Sequence, residues 1–146
     1  MSLPPLVVAI AGNRDITPGM GAGVVLGRLA RLPEDSLVLL RHPKSATRHP
    51  GRFEHLVAGL CDVLSIEHEW VKPEGSDRSQ VYLRDLDMVR RSDYVIAFFS
   101  SPAMEGGTSH VVDAALSQGI AVESLWVKEN GEVERIGEYD PSRDGP

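Results

Sequence analysis

Two stretches, Leu6-Val-Val-Ala-Ile-Ala11 and Tyr94-Val-Ile-Ala-Phe-Phe99, contain no charged residue, and each leads into a polar loop that carries glycine. Their hydrophobicity is continuous rather than alternating. A strand with both faces apolar belongs in the middle of a parallel sheet covered on two sides, whereas a half-solvated antiparallel strand alternates. Parallel neighbours cannot be joined by a tight hairpin and need a crossover, usually a helix. These two runs therefore require helices between strands along the rest of the chain.

The remaining sequence supplies them. Thr17-Pro18 reads as a cap followed by proline at the first helical position, and Val25, Leu29 and Leu32 continue with helical spacing to Pro33. Ser36 to Leu40 is a second apolar strand. Phe53, Leu56, Val57, Leu60, Val63 and Leu64 repeat at i, i+3, i+4 and i+7, the pattern of an amphipathic helix. Ile66 to Val71 alternates, as expected of a strand nearer an edge, and Ser79 to Arg91 is a helix with Tyr82, Leu86 and Val89 on one face. A helix from about 108 to 118 stops at Gly119, and Ile120 to Trp126 is a fifth strand. Asn130-Gly131 between apolar flanks is a hairpin signal and adds an antiparallel edge strand from Val133 to Ile136. The expected fold is a three-layer, Rossmann-like α/β sandwich, with about five mainly parallel strands plus the hairpin strand. One domain spans 1–138, and 139–146 is expected to be a flexible tail.

Composition narrows the function classes. The chain has 146 residues and a formal net charge of −6, which disfavours extended nucleic acid as a partner. The single cysteine, Cys61, cannot form an internal disulfide and sits in an apolar helix pattern, as a small core residue of a reducing compartment would. No apolar run approaches a membrane span, and the start lacks the pattern of a signal peptide, so the expected location is cytoplasmic, without a membrane partner. Small Rossmann-like domains often self-associate, and a homodimer or larger homo-oligomer is expected.

In a doubly wound sheet, ligands bind beyond the carboxyl ends of the strands. The loops there are 12–17, 41–52, 72–78 and 100–108. In the last, Glu105-Gly-Gly-Thr-Ser-His110 opens straight into a helix, whose free N–H groups carry about half a positive charge. Gly106 and Gly107 would let a phosphate approach the backbone, while Thr108 and Ser109 would cap the helix or donate a hydroxyl. A plain capped βα turn without a ligand fits the motif equally. The loop from Arg41 to Arg52 has four formal positive charges and no acid. It is either a solvated basic loop or an anion pocket in which Lys44 and an arginine meet phosphate oxygens and Ser45 or Thr47 donates. Gly12, Asn13 and Arg14 follow the first strand, but the G-x-G-x-x-G spacing is missing, so no NAD or FAD cofactor is expected. A G-x-x-x-x-G-K-[ST] loop, a G-x-S-x-G elbow and metal-ligand spacing of histidines or cysteines are also missing, and no metal is expected.

Several of these motifs together resemble the SLOG superfamily. They are Gly12-Asn-Arg-Asp, Arg84-Asp-Leu-Asp-Met88, Ser92-Asp-Tyr-Val-Ile-Ala-Phe98, and Gly106-Gly-Thr-Ser-His-Val-Val-Asp-Ala-Ala115 through Gly119-Ile-Ala-Val122. The branch they are most similar to is the small YspA-type group, over roughly residues 6–126. The resemblance implies a Rossmann-like domain that binds a nucleotide or a nucleotide-derived, phosphorylated ligand, often as a sensor. It also brings in the LOG phosphoribohydrolases and the nucleoside deoxyribosyltransferases, which act at an N-glycosidic bond. The former carry acidic residues two and three positions after the loop threonine, where this chain has His110 and Val111, and the latter place a catalytic glutamate at the position of Val111. Asp113 is poorly spaced to replace it, and Lys44 to Arg52 stands where the YspA-type branch has an acidic glycine-rich motif. The expected ligand-binding set is Gly12, Asn13, Arg14, Lys44, Ser45, Arg84, Gly106, Gly107, Thr108 and Ser109. Three functions follow: a ligand-binding domain, a nucleotide-processing enzyme using Asp15, Asp85 or Asp87 as acid or base, or a non-catalytic oligomerisation module.

Overall fold

The structure, a computed structural model, describes residues 3–42, 52–75 and 77–144. Strands β1 (Val7–Gly12), β2 (Leu37–Arg41), β3 (Glu67–Val71), β4 (Tyr94–Phe99), β5 (Ala121–Val127) and β6 (Val133–Tyr139) form one six-stranded sheet. Helices α1 (Pro18–Leu29), α2 (Arg52–Val63), α3 (Arg78–Arg90) and α4 (Gly107–Ser117) connect the parallel strands, and α5 (Pro141–Asp144) is a single closing turn. The sheet order is β3-β2-β1-β4-β5-β6, with every neighbour parallel except β5 and β6. This is the expected Rossmann-like sandwich. The direction of winding reverses between β1 and β4, so their carboxyl ends diverge into a crevice.

The two apolar runs lie at that switch point, and their faces divide as continuous hydrophobicity demands. Val8, Ile10, Ile96 and Phe98 pack with Val25 and Leu29 of α1 and Phe53, Val57 and Cys61 of α2. Ala9, Ala11, Val95, Ala97 and Phe99 pack with Met88 and Val89 of α3 and Val111, Val112, Ala114 and Ala115 of α4. Small residues on β1 let the second helix pair approach the sheet closely. Gly12 has another reason to lack a side chain: a Cβ there would lie 2.3 Å from the Phe53 ring, which crosses directly over it.

Local signals act as read. Thr17 caps α1, accepting from the Met20 amide at 3.3 Å, with Pro18 behind it. Gly119 takes φ +67°, and the Ile120 amide reaches back to the Ala115 carbonyl at 2.9 Å, closing α4 with a left-handed turn. Gly131 takes φ +87° in the β5–β6 hairpin, where Lys128 donates to the Glu132 carbonyl. Two details differ from the sequence reading. β6 continues to Tyr139, three residues past Ile136, because backbone pairing with β5 holds a segment whose side chains are mostly exposed. On α3, Tyr82 turns out to solvent, and the buried face holds Arg84, Asp85, Met88 and Val89. An apolar-spacing argument misses that face, because half of it consists of an ion pair. Among the described residues, no helix is long and apolar enough to cross a membrane.

Candidate functional site

A cleft of about 1370 Å³ opens over the carboxyl ends of β1, β2 and β4. Its rim and floor come from separate segments: Gly12 to Asp15 at the end of β1, Arg41 and His42 at the end of β2, Glu54 of α2, the first half of α3, and Ser100, Ser101 and Glu105 to Thr108 after β4. The sheet topology alone collects them, since β1, β2 and β4 are neighbours and all run the same way.

Asn13 fastens two of these loops together. Its backbone N–H donates to the Phe98 carbonyl at 3.0 Å, and its side-chain oxygen accepts from the Ser100 amide at 2.9 Å. Its amide nitrogen donates to the Glu105 carbonyl at 3.0 Å. The residue thus shapes the cleft, with its polar atoms already engaged. Next along the loop, Gly106 adopts φ +91° and ψ −173°, a conformation essentially restricted to glycine. It is the N-cap of α4 and supplies no side-chain hydrogen bond. The expectation that Thr108 or Ser109 caps this helix is corrected. Ser109 donates its hydroxyl back to the Gly106 carbonyl at 2.6 Å, and Thr108, only 1% exposed, accepts from Arg41 at 3.2 Å. The first turn of α4 starts at the cleft without a side-chain cap.

Arg41, the last residue of β2, arches over the end of β1. Its Nη2 donates to Glu54 Oε1 at 2.8 Å, to the Gly12 carbonyl at 3.1 Å and to Thr108. Its Nε adds a 3.3 Å bond to the same Glu54 oxygen. Nη1 lies 3.6 Å from where a Cβ on Gly107 would be, beside the start of α4. One guanidinium therefore joins α2, β1 and α4, with its other edge beside Gly107. Glu54 is 5% exposed, so its charge is offset mainly by this partner.

A second buried pair lies across the floor. Arg84 donates its Nε to Asp85 Oδ1 at 3.0 Å and another N–H to the His42 carbonyl. Burial lowers the Arg84 pKa against the opposing pull of Asp85. Burial likewise raises that of Asp85, despite the favourable charges of Arg84, Arg41 and His110. His110 on α4 and Tyr82 on α3 form an edge-to-face ring pair on the cleft wall, with centroids 6.3 Å apart.

Of the sequence-derived set, Gly12, Asn13, Arg14, Arg84, Gly106, Gly107 and Thr108 line this one cleft. Ser109 is turned into its own helix turn. Lys44 and Ser45 lie outside the described residues. Among the acid/base candidates, Asp85 is on the floor and Asp15 on the exposed rim, whereas Asp87 is exposed and does not line the cleft. Arg41 and Glu54 were not singled out by the sequence. The signal was there in part, since Arg41 opens the basic stretch, but a strand-terminal arginine and a helix-start glutamate read individually as solvated charges. Among the described residues, no three histidine, cysteine, aspartate or glutamate side chains gather as a metal site would require. Comparison with protein-family models, curated proteins and solved structures returns no match. The site is therefore interpreted from its own chemistry.

Proposed function

We propose that this cleft binds a nucleotide or nucleotide-derived, phosphorylated small molecule, and that the domain acts as a ligand-binding or sensing unit. The observation that carries this reading is that Arg41 Nη1, which no other described residue engages, lies beside Gly107 at the start of α4, where the first turn of that helix has no side-chain cap, in the switch-point crevice. Amide donors beside a guanidinium fork are what a phosphate or carboxylate needs. The ring pair of Tyr82 and His110 offers a planar group something to lie against. The resemblance to the SLOG superfamily is consistent with this reading, and a homo-oligomer remains part of the proposal.

Binding is favoured over cleavage of an N-glycosidic bond by the placement of the carboxylates. Val111, at the position where the resembling enzymes carry their acid, is 0% exposed in the core between α4 and the sheet. Asp85 is engaged by Arg84. Thermal-shift titration with nucleotides and phosphorylated sugars tests the proposal, with a rise in melting temperature expected for at least one of them. Gly107→Asp is the informative variant: Gly107 is exposed, and an added Cβ meets nothing closer than Arg41 Nη1 at 3.6 Å. A carboxylate there satisfies the helix start and Arg41 internally, so the fold persists while the ligand response disappears. An unchanged response in that variant would place the anion elsewhere. Free base released from any nucleotide on incubation would move the reading to an enzyme.

A further inference from the structure

The walls described for the cleft hold four arginines, Arg14, Arg41, Arg78 and Arg84, and four carboxylates, Asp15, Glu54, Asp85 and Glu105. Their formal charge cancels. Such a surface has one strong anion point at α4, while the rest suits a polar group of little net charge.

Asp85 is the group on that floor with capacity to spare. An ionised carboxylate has about four lone-pair directions, and Arg84 Nε takes one of them at Oδ1. No donor among the described residues reaches Oδ2. That oxygen is not sealed off, because Glu123 Oε1 is the one side-chain polar atom among the described residues that is both closed to solvent and without a hydrogen bond. Asp85 lines the cleft and is 2% exposed as a whole, so Oδ2 meets the cleft through a narrow opening. A phosphate would be repelled here, and a cation would find the charge already offset by Arg84. A neutral O–H donor meets neither objection. A ribose cis-diol offers two such donors on adjacent carbons, and one of them suffices to meet Oδ2.

We infer that Asp85 recognises the cis-diol of a ribose, so that the cleft takes ribonucleotide-type ligands in preference to their 2′-deoxy counterparts. This rests on the nucleotide-type reading above. Losing one hydroxyl would leave a buried charged acceptor unmet, and the expected discrimination is roughly 10- to 100-fold in affinity.

Calorimetric titration of the full chain with the four common ribonucleoside 5′-monophosphates and their 2′-deoxy forms tests it. At least one ribonucleotide is expected to bind more tightly than its deoxy form, and Asp85→Asn is expected to erase that ratio while leaving the weak affinity for inorganic phosphate in place. Equal affinities in the wild-type chain overturn the role of Asp85 and leave the anion site standing. Absence of binding by all eight overturns the ribose reading, and absence of any response to the phosphorylated sugars and inorganic phosphate as well overturns the anion site with it. A folded Asp85→Asn variant that keeps the ratio transfers the recognition to another residue. Should that variant fail to fold, the wild-type ratio decides alone.

Discussion

At the scale of single residues, two positions make sharp claims. The Phe53 ring occupies the space a side chain on Gly12 would need, at 2.3 Å from the added carbon, and both residues are enclosed by core. Neither can move without opening the packing beneath the cleft. Gly12→Ala is expected to cost about 1–3 kcal/mol, the range for overpacking a dense core, as a lower urea midpoint with an unchanged slope. Glycine at 12 is thus explained by packing, whether or not a phosphate ever approaches it. Cys61 makes the second claim. Burial, with the Asp62 charge adding to it, pushes its thiol up to about 11. The folded chain thus favours the neutral thiol more than the unfolded chain does. Its contribution is fully present below the unfolded value near 9.0 and is lost as pH rises towards about 11. A shift of this size corresponds to on the order of 2–3 kcal/mol. Urea melts between pH 8 and pH 11 should fall more steeply for the wild-type chain than for Cys61→Ala, and thiol reagents should label the native protein only as fast as it opens.

Elements carry their own balance of forces, seen best where β6 joins the sheet. Glu123 on β5 is 2% exposed and sits between Arg28 at the end of α1, 2.9 Å away, and Arg135 on β6, 2.5 Å away. A buried ion pair seldom adds net stability over an apolar replacement, but removing one partner strands a charge. Arg28→Ala leaves Glu123 with Arg135 as its remaining partner and is expected to destabilise by about 1–3 kcal/mol. Arg28→Ala combined with Glu123→Leu should recover most of that loss in a double-mutant cycle. By contrast, Arg91 and Glu69, joined at 2.6 Å and 2.9 Å but 38% and 45% exposed, should lose less than about 1 kcal/mol on truncation, since solvent screens such pairs. The same contrast explains what could be read from the sequence. Apolar runs, proline and glycine punctuation and the Asn130-Gly131 turn placed β1, β4 and α2 to within a residue and marked the start of α1 and the hairpin turn, because each reports a local preference, whereas the ends of α1 and β6 each differ by three residues. The buried face of α3 and the Glu54–Arg41–Thr108 bridge join charges brought together from distant segments, and no local pattern distinguishes a charge of that kind from a solvated one. Gly106, Gly107 and Thr108 were legible as a loop opening into a helix, but which hydroxyl caps it depends on Arg41 arriving from β2.

For the molecule as a whole, the sheet has two open edges, β3 and β6, and an open edge invites pairing with another copy. Both edges are charged in a way that resists it. A symmetric antiparallel pairing of β6 with its own copy, centred on Ile136, sets Glu134 opposite Glu138, and the same operation on β3 sets Glu69 opposite itself. Like charges facing each other across a strand pair are destabilising. A homo-oligomer of this chain, if it forms, is therefore expected to use a helical face rather than a continued sheet. The exposed Tyr82, Leu83 and Leu116 place apolar area on α3 and α4, away from both edges. Light scattering on the wild-type chain and on Glu134→Thr combined with Glu138→Thr separates the cases. With the edge charges gone, the variant should gain mass or aggregate as protein concentration rises. If the wild type is already oligomeric, its mass should be insensitive to the double substitution at low concentration, because that contact lies elsewhere. A wild-type dimer that dissociates when Glu134 and Glu138 are replaced would mean that β6 is the joint after all, with the glutamates paired to basic groups of the other copy.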